Sequence, residues 1–258
     1  LIELLLSADG KVRLQVETAI EQEEGLRDVQ MYRAVLASVG LKRRTVGDIA
    51  AALDREKDNA LKRIVKRLIE LGYLIEETNF EAPRNQEKRY RIADPAQRFY
   101  YGLVLPNESA IANAGPERVW SERIEQAAWP TYLGFEVFEE VVRQAYLRLA
   151  DDRGLPAIES WGRWQGKDRE RNDIEIDIVA RTLDGSILTG AVKFTSRAAD
   201  ATLLTGHLDA LKRLRDSGHA WAREALAPDA ELFFVSAAGF KESFTEVAAG
   251  LSQLVNTW

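Results

Sequence analysis

A mixed α/β chain, α+β overall, is what the order of elements predicts. Three helices and a hairpin come first, then helix, three strands, helix and strand. Two observations carry this. Between Met31 and Ala93 the apolar residues recur at helical spacing in three segments, then in two short strand-like runs around a polar loop. From Ile174 to Thr195 the run IEIDIVARTLDGSILTGAVKFT alternates apolar and polar residues on both sides of an Asp-Gly turn, the pattern of a hairpin.

Residues 1–29 read as one or two helices rich in glutamate (Glu21, Glu23, Glu24), a helical remnant or linker. The chain begins at Leu1 inside the apolar run LIELLL and its single methionine is Met31, so a piece of a longer protein is expected. Residues 30–105 read as a winged helix-turn-helix. Met31 to Ser38 forms the first helix. Thr45 caps the second, TVGDIAAAL, with Asp48 in the place that Glu takes in a capping box. The third runs to Leu71 and stops at Gly72. Its apolar positions Leu61, Ile64, Val65, Leu68 and Ile69 share one face, which turns Lys62, Arg63, Lys66 and Arg67 outward. YLIEET and KRYRIA then make a β-wing around the long tip NFEAPRNQE. Lys62, Arg63, Lys66 and Arg67 are the candidates for a DNA major groove, and Arg84, Lys88 and Arg89 of the wing for phosphates. A solvated basic face, or a winged helix that docks protein, is the alternative.

Asp94-Pro95 before Phe99-Tyr100-Tyr101 starts a further helix, expected to pack against the next domain. Residues 106–131 read as a linker with a short bridging helix. Residues 132–258 form the second domain: helix to about Asp152, strand Ile158 to Trp164, the hairpin, helix Ala198 to Asp216, strand Glu231 to Ser236 and a final helix.

Within the hairpin, Ile174, Ile176 and Ile178 are expected on one face, with Glu175 and Asp177 on the other. A two-residue Asp184-Gly185 turn would set Asp177 opposite Val192, away from Lys193. A three-residue Leu183-Asp184-Gly185 loop with Gly185 left-handed sets it opposite Ala191. That register brings Asp177, Ala191 and Lys193 to one side. An acid, a second position two residues before a lysine, and the lysine itself are the skeleton of the PD-(D/E)XK nuclease site. Here Ala191 stands where the second acid belongs. An ordinary amphipathic hairpin is the competing reading.

Composition narrows the classes. The chain has 258 residues, enough for two domains, and 46% hydrophobic with 29% charged residues is the balance of a globular protein. No apolar run reaches the length of a membrane span, so no membrane partner is expected and the expected compartment is cytoplasmic. With no cysteine there is neither disulfide nor thiolate metal site. His207 and His219 read as surface or interhelical residues rather than zinc ligands. No GxxxxGK[ST] loop occurs, so no nucleotide is expected on this chain. The net charge is −6, yet residues 30–104 hold 15 basic against 10 acidic residues, which points to a local surface for a polyanion.

Several pieces in order resemble the C-terminal half of archaeal-type STAND ATPases, which occur in bacteria too. They are YRIADPAQRFYY (Tyr90 to Tyr101), LGFEVFEEVVRQAY (Leu133 to Tyr146), Trp161 and Trp164, EIDIVA (Glu175 to Ala180), GAVKF (Gly190 to Phe194) and FFVSAAGF (Phe233 to Phe240). The resemblance covers about residues 30 to 258. It implies a winged helix followed by a PD-(D/E)XK nuclease-like αβββαβ domain, with an N-terminal P-loop ATPase domain of the same full-length protein as partner. It also implies that Glu139 faces the site from the first helix of the nuclease-like domain. Asp177 would be the main metal carboxylate, Val192 and Glu175 further metal positions, and Lys193 the group that steadies the attacking water and the phosphate. Where the family has GExKW this chain has GAVKF, which removes one of two carboxylates from a site meant for Mg²⁺ or Mn²⁺.

Two classes of function follow. One is a metal-dependent nuclease acting on DNA or RNA, crippled by Ala191 unless Glu175 substitutes. The other is a non-catalytic nucleic-acid-binding or protein-interaction module, in which the nuclease fold serves as a regulatory platform. A homo-oligomer is compatible with either.

Overall fold

The structure is a computed structural model that describes residues 2–83 and 86–258, without the side chains of residues 135 and 136. The fold is mixed α+β, and the chain divides into two compact units. The first comprises Leu1–Thr78 and Pro83–Tyr132, the second Asn79–Ala82 and Leu133–Trp258.

The first unit opens with α1 (Ile2–Leu5), α2 (Lys11–Ala19), α3 (Val29–Val39), α4 (Val46–Ala52) and α5 (Asn59–Glu70). Each of the last three starts on a side-chain cap: Asp28 accepts from the amide of Met31, Thr45 from that of Asp48, and Asp58 from that of Leu61. At Thr45 the cap is reciprocal, because the Asp48 carboxylate accepts the Thr45 amide at 2.9 Å. Both orphan amides are thus satisfied. Past α5 the chain turns at Gly72, whose φ of +80° suits a residue without Cβ. The antiparallel strands β1 (Leu74–Glu77) and β2 (Arg89–Ile92) pair Leu74 with Ile92 and Glu77 with Arg89.

Asp94 caps α6 (Pro95–Phe99), which continues in wider π-type turns over Tyr100–Val104. This helix was expected to face the next domain, yet its aromatic partners lie inside the first unit. Phe99 meets Trp129 and Tyr132 edge-on, and Tyr100 and Tyr101 are buried. The segment expected as a linker with one short helix, residues 106–131, is helical over most of its length. It forms α7 (Glu108–Ala114), α8 (Pro116–Val119), π-type turns over Trp120–Ala128 and α9 (Trp129–Tyr132). Ile111, Val119, Ile124 and Tyr132 are buried, and Pro116 sits in the first helical turn, where a missing N–H costs nothing.

The second unit begins with π-type turns over Leu133–Phe138 and α10 (Glu139–Arg153). Strands β3 (Ile158–Lys167), β4 (Asp173–Thr182) and β5 (Ile187–Lys193) follow, then α11 (Ala201–Asp216), α12 (Ala220–Glu224), β6 (Glu231–Ser236), α13 (Glu242–Ala249) and β7 (Leu254–Thr257). The sheet order is β3-β4-β5-β6-β7, antiparallel through β5 and parallel beyond it. The α11 crossover makes the β5–β6 pair parallel. The edge strand β7 was not expected from the sequence.

Hydrophobic clusters cover both faces of the sheet. One gathers Val142, Tyr146, Ile178, Ala180, Leu188 and Val192, and so belongs to α10. Others gather Ile174, Ile176, Val179, Leu211 and Trp221, and Ala191, Leu204, Phe234 and Phe244, and belong to α11 and its neighbours. The four-residue segment Asn79–Ala82 completes this unit. The Phe80 amide donates to the Arg163 carbonyl at 2.8 Å, and the Asn79 side chain exchanges two bonds with the backbone of Gln165. The Phe80 ring is buried against Trp164 and Trp221. In β5, Gly190 lies so close to β6 that a Cβ would fall 1.7 Å from the Phe233 carbonyl oxygen.

Candidate functional site

The loop joining β4 and β5 is Leu183-Asp184-Gly185. The Gly185 amide donates to the Thr182 carbonyl, and Gly185 takes φ +87°. Ile178 stands opposite Gly190 and Ala180 opposite Leu188, the register that strand alternation requires of a three-residue loop. At the open end the Asp177 carboxylate accepts the Val192 amide at 3.0 Å, and the Lys193 ammonium stands 3.6 Å from it. Asp177 and Lys193 are therefore neighbours.

The expected sharing of one face by Ile174, Ile176 and Ile178 does not occur. Gly162 pairs with Val179 but Trp164 with Ile176, so Asp177 and Ile178 together oppose the single residue Arg163. This bulge turns Ile178 and Ala180 toward α10, while Ile174, Ile176 and Val179 face α11. An inserted residue leaves no trace in apolar alternation, which is why the sequence did not disclose it.

Glu139 and Glu175 meet on Arg163. The guanidinium lies 3.3 Å from the Glu139 carboxylate and forms a closer ion pair with Glu175. Arg163 is the residue that sequence reasoning missed; its only signal was a strong base between Trp161 and Trp164 in a half-buried strand. The expected set thus divides into Asp177 with Lys193 and Glu139 with Glu175. Ala191 points elsewhere, into the apolar cluster of Leu204, Leu232 and Phe234, with 7% of its surface exposed. The Val192 side chain packs on the α10 side.

These donors do not fit a divalent metal as arranged. A hard cation takes several oxygen ligands at once. Here the position expected to carry a second acid is an alanine, an arginine already engages two carboxylates, and a lysine and an amide engage the third. Among the described residues no group of three Asp, Glu, His or Cys side chains gathers as a metal site.

His207 of α11 is a second feature the sequence misplaced. It lies neither on the surface nor between helices but buried against the sheet, with Nε2 3.0 Å from the Thr189 hydroxyl of β5 and the ring edge-on to Phe234 of β6. Burial, helped by the positive charge of Lys193, pushes its pKa down to about 3, so the ring is neutral at physiological pH.

On α5, Leu61, Val65 and Leu68 are buried while Lys62, Arg63 and Lys66 are exposed and Arg67 is half-exposed. Lys66 and Arg67 share Glu70 at 3.8 and 3.4 Å. Lys88 pairs with Glu76 at 2.6 Å, Arg89 is half-buried, and Arg84 lies outside the described residues.

Residues 100–203 match the family model DUF234, described as archaeal and bacterial proteins of unknown function. Over 174 residues the chain is 28% identical to an uncharacterized protein of Methanocaldococcus jannaschii. That alignment takes in 67% of this chain and spans 37% of the relative's length. Among solved structures, the adhesin competence repressor AdcR from Streptococcus pyogenes is similar at a TM-score of 0.25, with 15% identity over 55% of this chain and 95% of that one. ZitR from Lactococcus lactis gives 0.25, with 12% identity over 57% and 98%. Protein VC1899 from Vibrio cholerae gives 0.30, with 14% identity over 95% and 50%. Scores this low do not define a common fold. No helix among the described residues is long and apolar enough to cross a membrane.

Proposed function

We propose that this chain is a nucleic-acid-binding regulatory module, in which α3–α5 and the β1–β2 hairpin act as a winged helix-turn-helix. The sheet unit is then a PD-(D/E)XK-like scaffold that has given up hydrolysis, and the wider protein carries a P-loop ATPase domain. One observation carries the binding half: α5 holds its apolar residues inward and presents Lys62, Arg63 and Lys66 to solvent along one helix face. Such a row can neutralise phosphates, each contact releasing about one condensed counterion. The engagement of Glu139, Glu175 and Asp177 by Arg163 and Lys193 supports the non-hydrolytic half.

Fluorescence anisotropy with labelled duplex DNA and single-stranded RNA, over a salt series, tests the reading. Binding should weaken steeply with salt and disappear when Lys62, Arg63, Lys66 and Arg67 are reversed to glutamate. Neither Mg²⁺ nor Mn²⁺ should produce cleavage. Salt-insensitive binding, or binding untouched by the reversal, would favour a protein partner instead.

A further inference from the structure

Between α5 and the β1–β2 hairpin, wholly within the first unit, runs a groove of about 600 Å³. Its floor is apolar, built from Val65, Ile69 and Tyr90, and its walls carry four lysines and three glutamates. The charges are paired across it. Lys57, just before α5, reaches Glu87 of the hairpin loop at 2.6 Å, thirty residues on. Lys88 reaches Glu76 on the neighbouring strand at the same distance. Lys62 has no acidic partner among the described residues.

We propose that Glu76 and Glu87 occupy Lys88 and Lys57 as internal stand-ins for phosphate, so that a nucleic-acid backbone enters this groove by displacing two carboxylates. The inference rests on the nucleic-acid reading above and adds a built-in restraint to it. Both pairs are solvent-exposed, with lysines at 47% and acids at 57% and 34%. Ion pairs of that kind hold weakly and are screened by salt, so a dense polyanion can replace them. A carboxylate and a backbone phosphodiester each spread one charge over two terminal oxygens, but a duplex presents its charges in series and releases counterions as it binds. The lysines thus keep their geometry, and weak anionic competitors gain little.

The test is the affinity of the full chain for a twenty-base-pair duplex, read by anisotropy between low and moderate salt. Glu76→Gln with Glu87→Gln should tighten binding by roughly tenfold at low salt and steepen the salt dependence by up to about two counterions. Glu117→Gln with Glu122→Gln changes net charge equally, away from the groove lining, and should change affinity by less than about twofold by comparison. Should the double groove variant fold poorly, Glu87→Gln alone gives the same reading in smaller measure. Equal gains from groove and control variants, or no gain from the groove variant, would overturn the restraint. If Lys62→Glu with Arg63→Glu still abolishes binding in that case, the nucleic-acid reading stands by itself. No duplex binding by any variant, the groove variant at low salt included, overturns both.

Discussion

The Arg163 guanidinium sits 3.3 Å from the Glu139 carboxylate, joining the strand that borders the hairpin to the helix that covers it. Glu175 holds the same guanidinium from β4. A cation supplied by the chain therefore stands among the acids that a nuclease reading would assign to a metal.

Arg163→Met should leave two carboxylates facing each other in a partly buried space. Loss of one member of such a cluster destabilises by roughly 1–3 kcal/mol once its residual exposure is allowed for. The loss should be larger at low salt than at high salt, because the two uncovered like charges repel and ions screen them. Urea titrations at the two salt concentrations decide it; equal losses would mean that Arg163 matters for packing alone.

Placing an acid at position 191 should not create a nuclease. Ala191→Glu would drive a carboxylate among Leu204, Leu232 and Phe234, where an unpaired charge is strongly disfavoured. Thermal unfolding should show reduced stability, and calorimetry no new high-affinity Mn²⁺ site. Cleavage that appears with Mg²⁺ and vanishes on adding Asp177→Ala would return the sheet unit to the enzymes.

Phe80→Ala should cost about 3–5 kcal/mol, the range for an aromatic removed from a packed core. The ring lies among Trp164, Ile176, Trp221 and Ile187, so tryptophan fluorescence should shift with the stability. By the same reasoning residues 132–258 made alone should unfold with poor cooperativity until a peptide spanning residues 79–82 is added or fused. A sharp, unaltered transition in the shorter piece would show that the segment is dispensable.

Acid should weaken the second unit through His207. Its folded pKa, about 3, lies below the ordinary value of 6.5, so between these limits the unfolded chain binds more protons and stability falls with falling pH. The full contribution is present above about pH 6.5 and is lost as the pH approaches 3. His207→Gln keeps a hydrogen-bonding group for Thr189 and removes the titration, so its stability curve should be flatter across that window. Parallel curves for the two proteins would place the acid sensitivity elsewhere.

Much of the architecture was legible because it rests on local signals. Thr45 and Asp48 announced a helix start, Gly72 a helix end, and Leu183-Asp184-Gly185 a loop whose length fixes the hairpin register. What escaped depends on contacts between distant parts of the chain. Arg163 has no role until α10 and β4 bring Glu139 and Glu175 to it. Phe80 reads as the polar tip of a hairpin until Trp164 and Trp221 surround it. His207 sits on an amphipathic helix whose buried side is known only once β5 lies beneath it. Residues 106–131 looked like a linker because Pro106 and Pro116 read as breaks, whereas Pro116 starts a helix.

Gly190 and Ala191 are adjacent, yet they differ in what they can tolerate. Position 191 holds a methyl group in the apolar cluster of Leu204, Leu232 and Phe234. Position 190 meets the backbone of β6, which cannot shift, and even alanine there would force the two central strands apart. Exhaustive substitution should therefore find position 191 open to small apolar residues alone and position 190 to glycine alone. The second limit holds for as long as β5 and β6 pair.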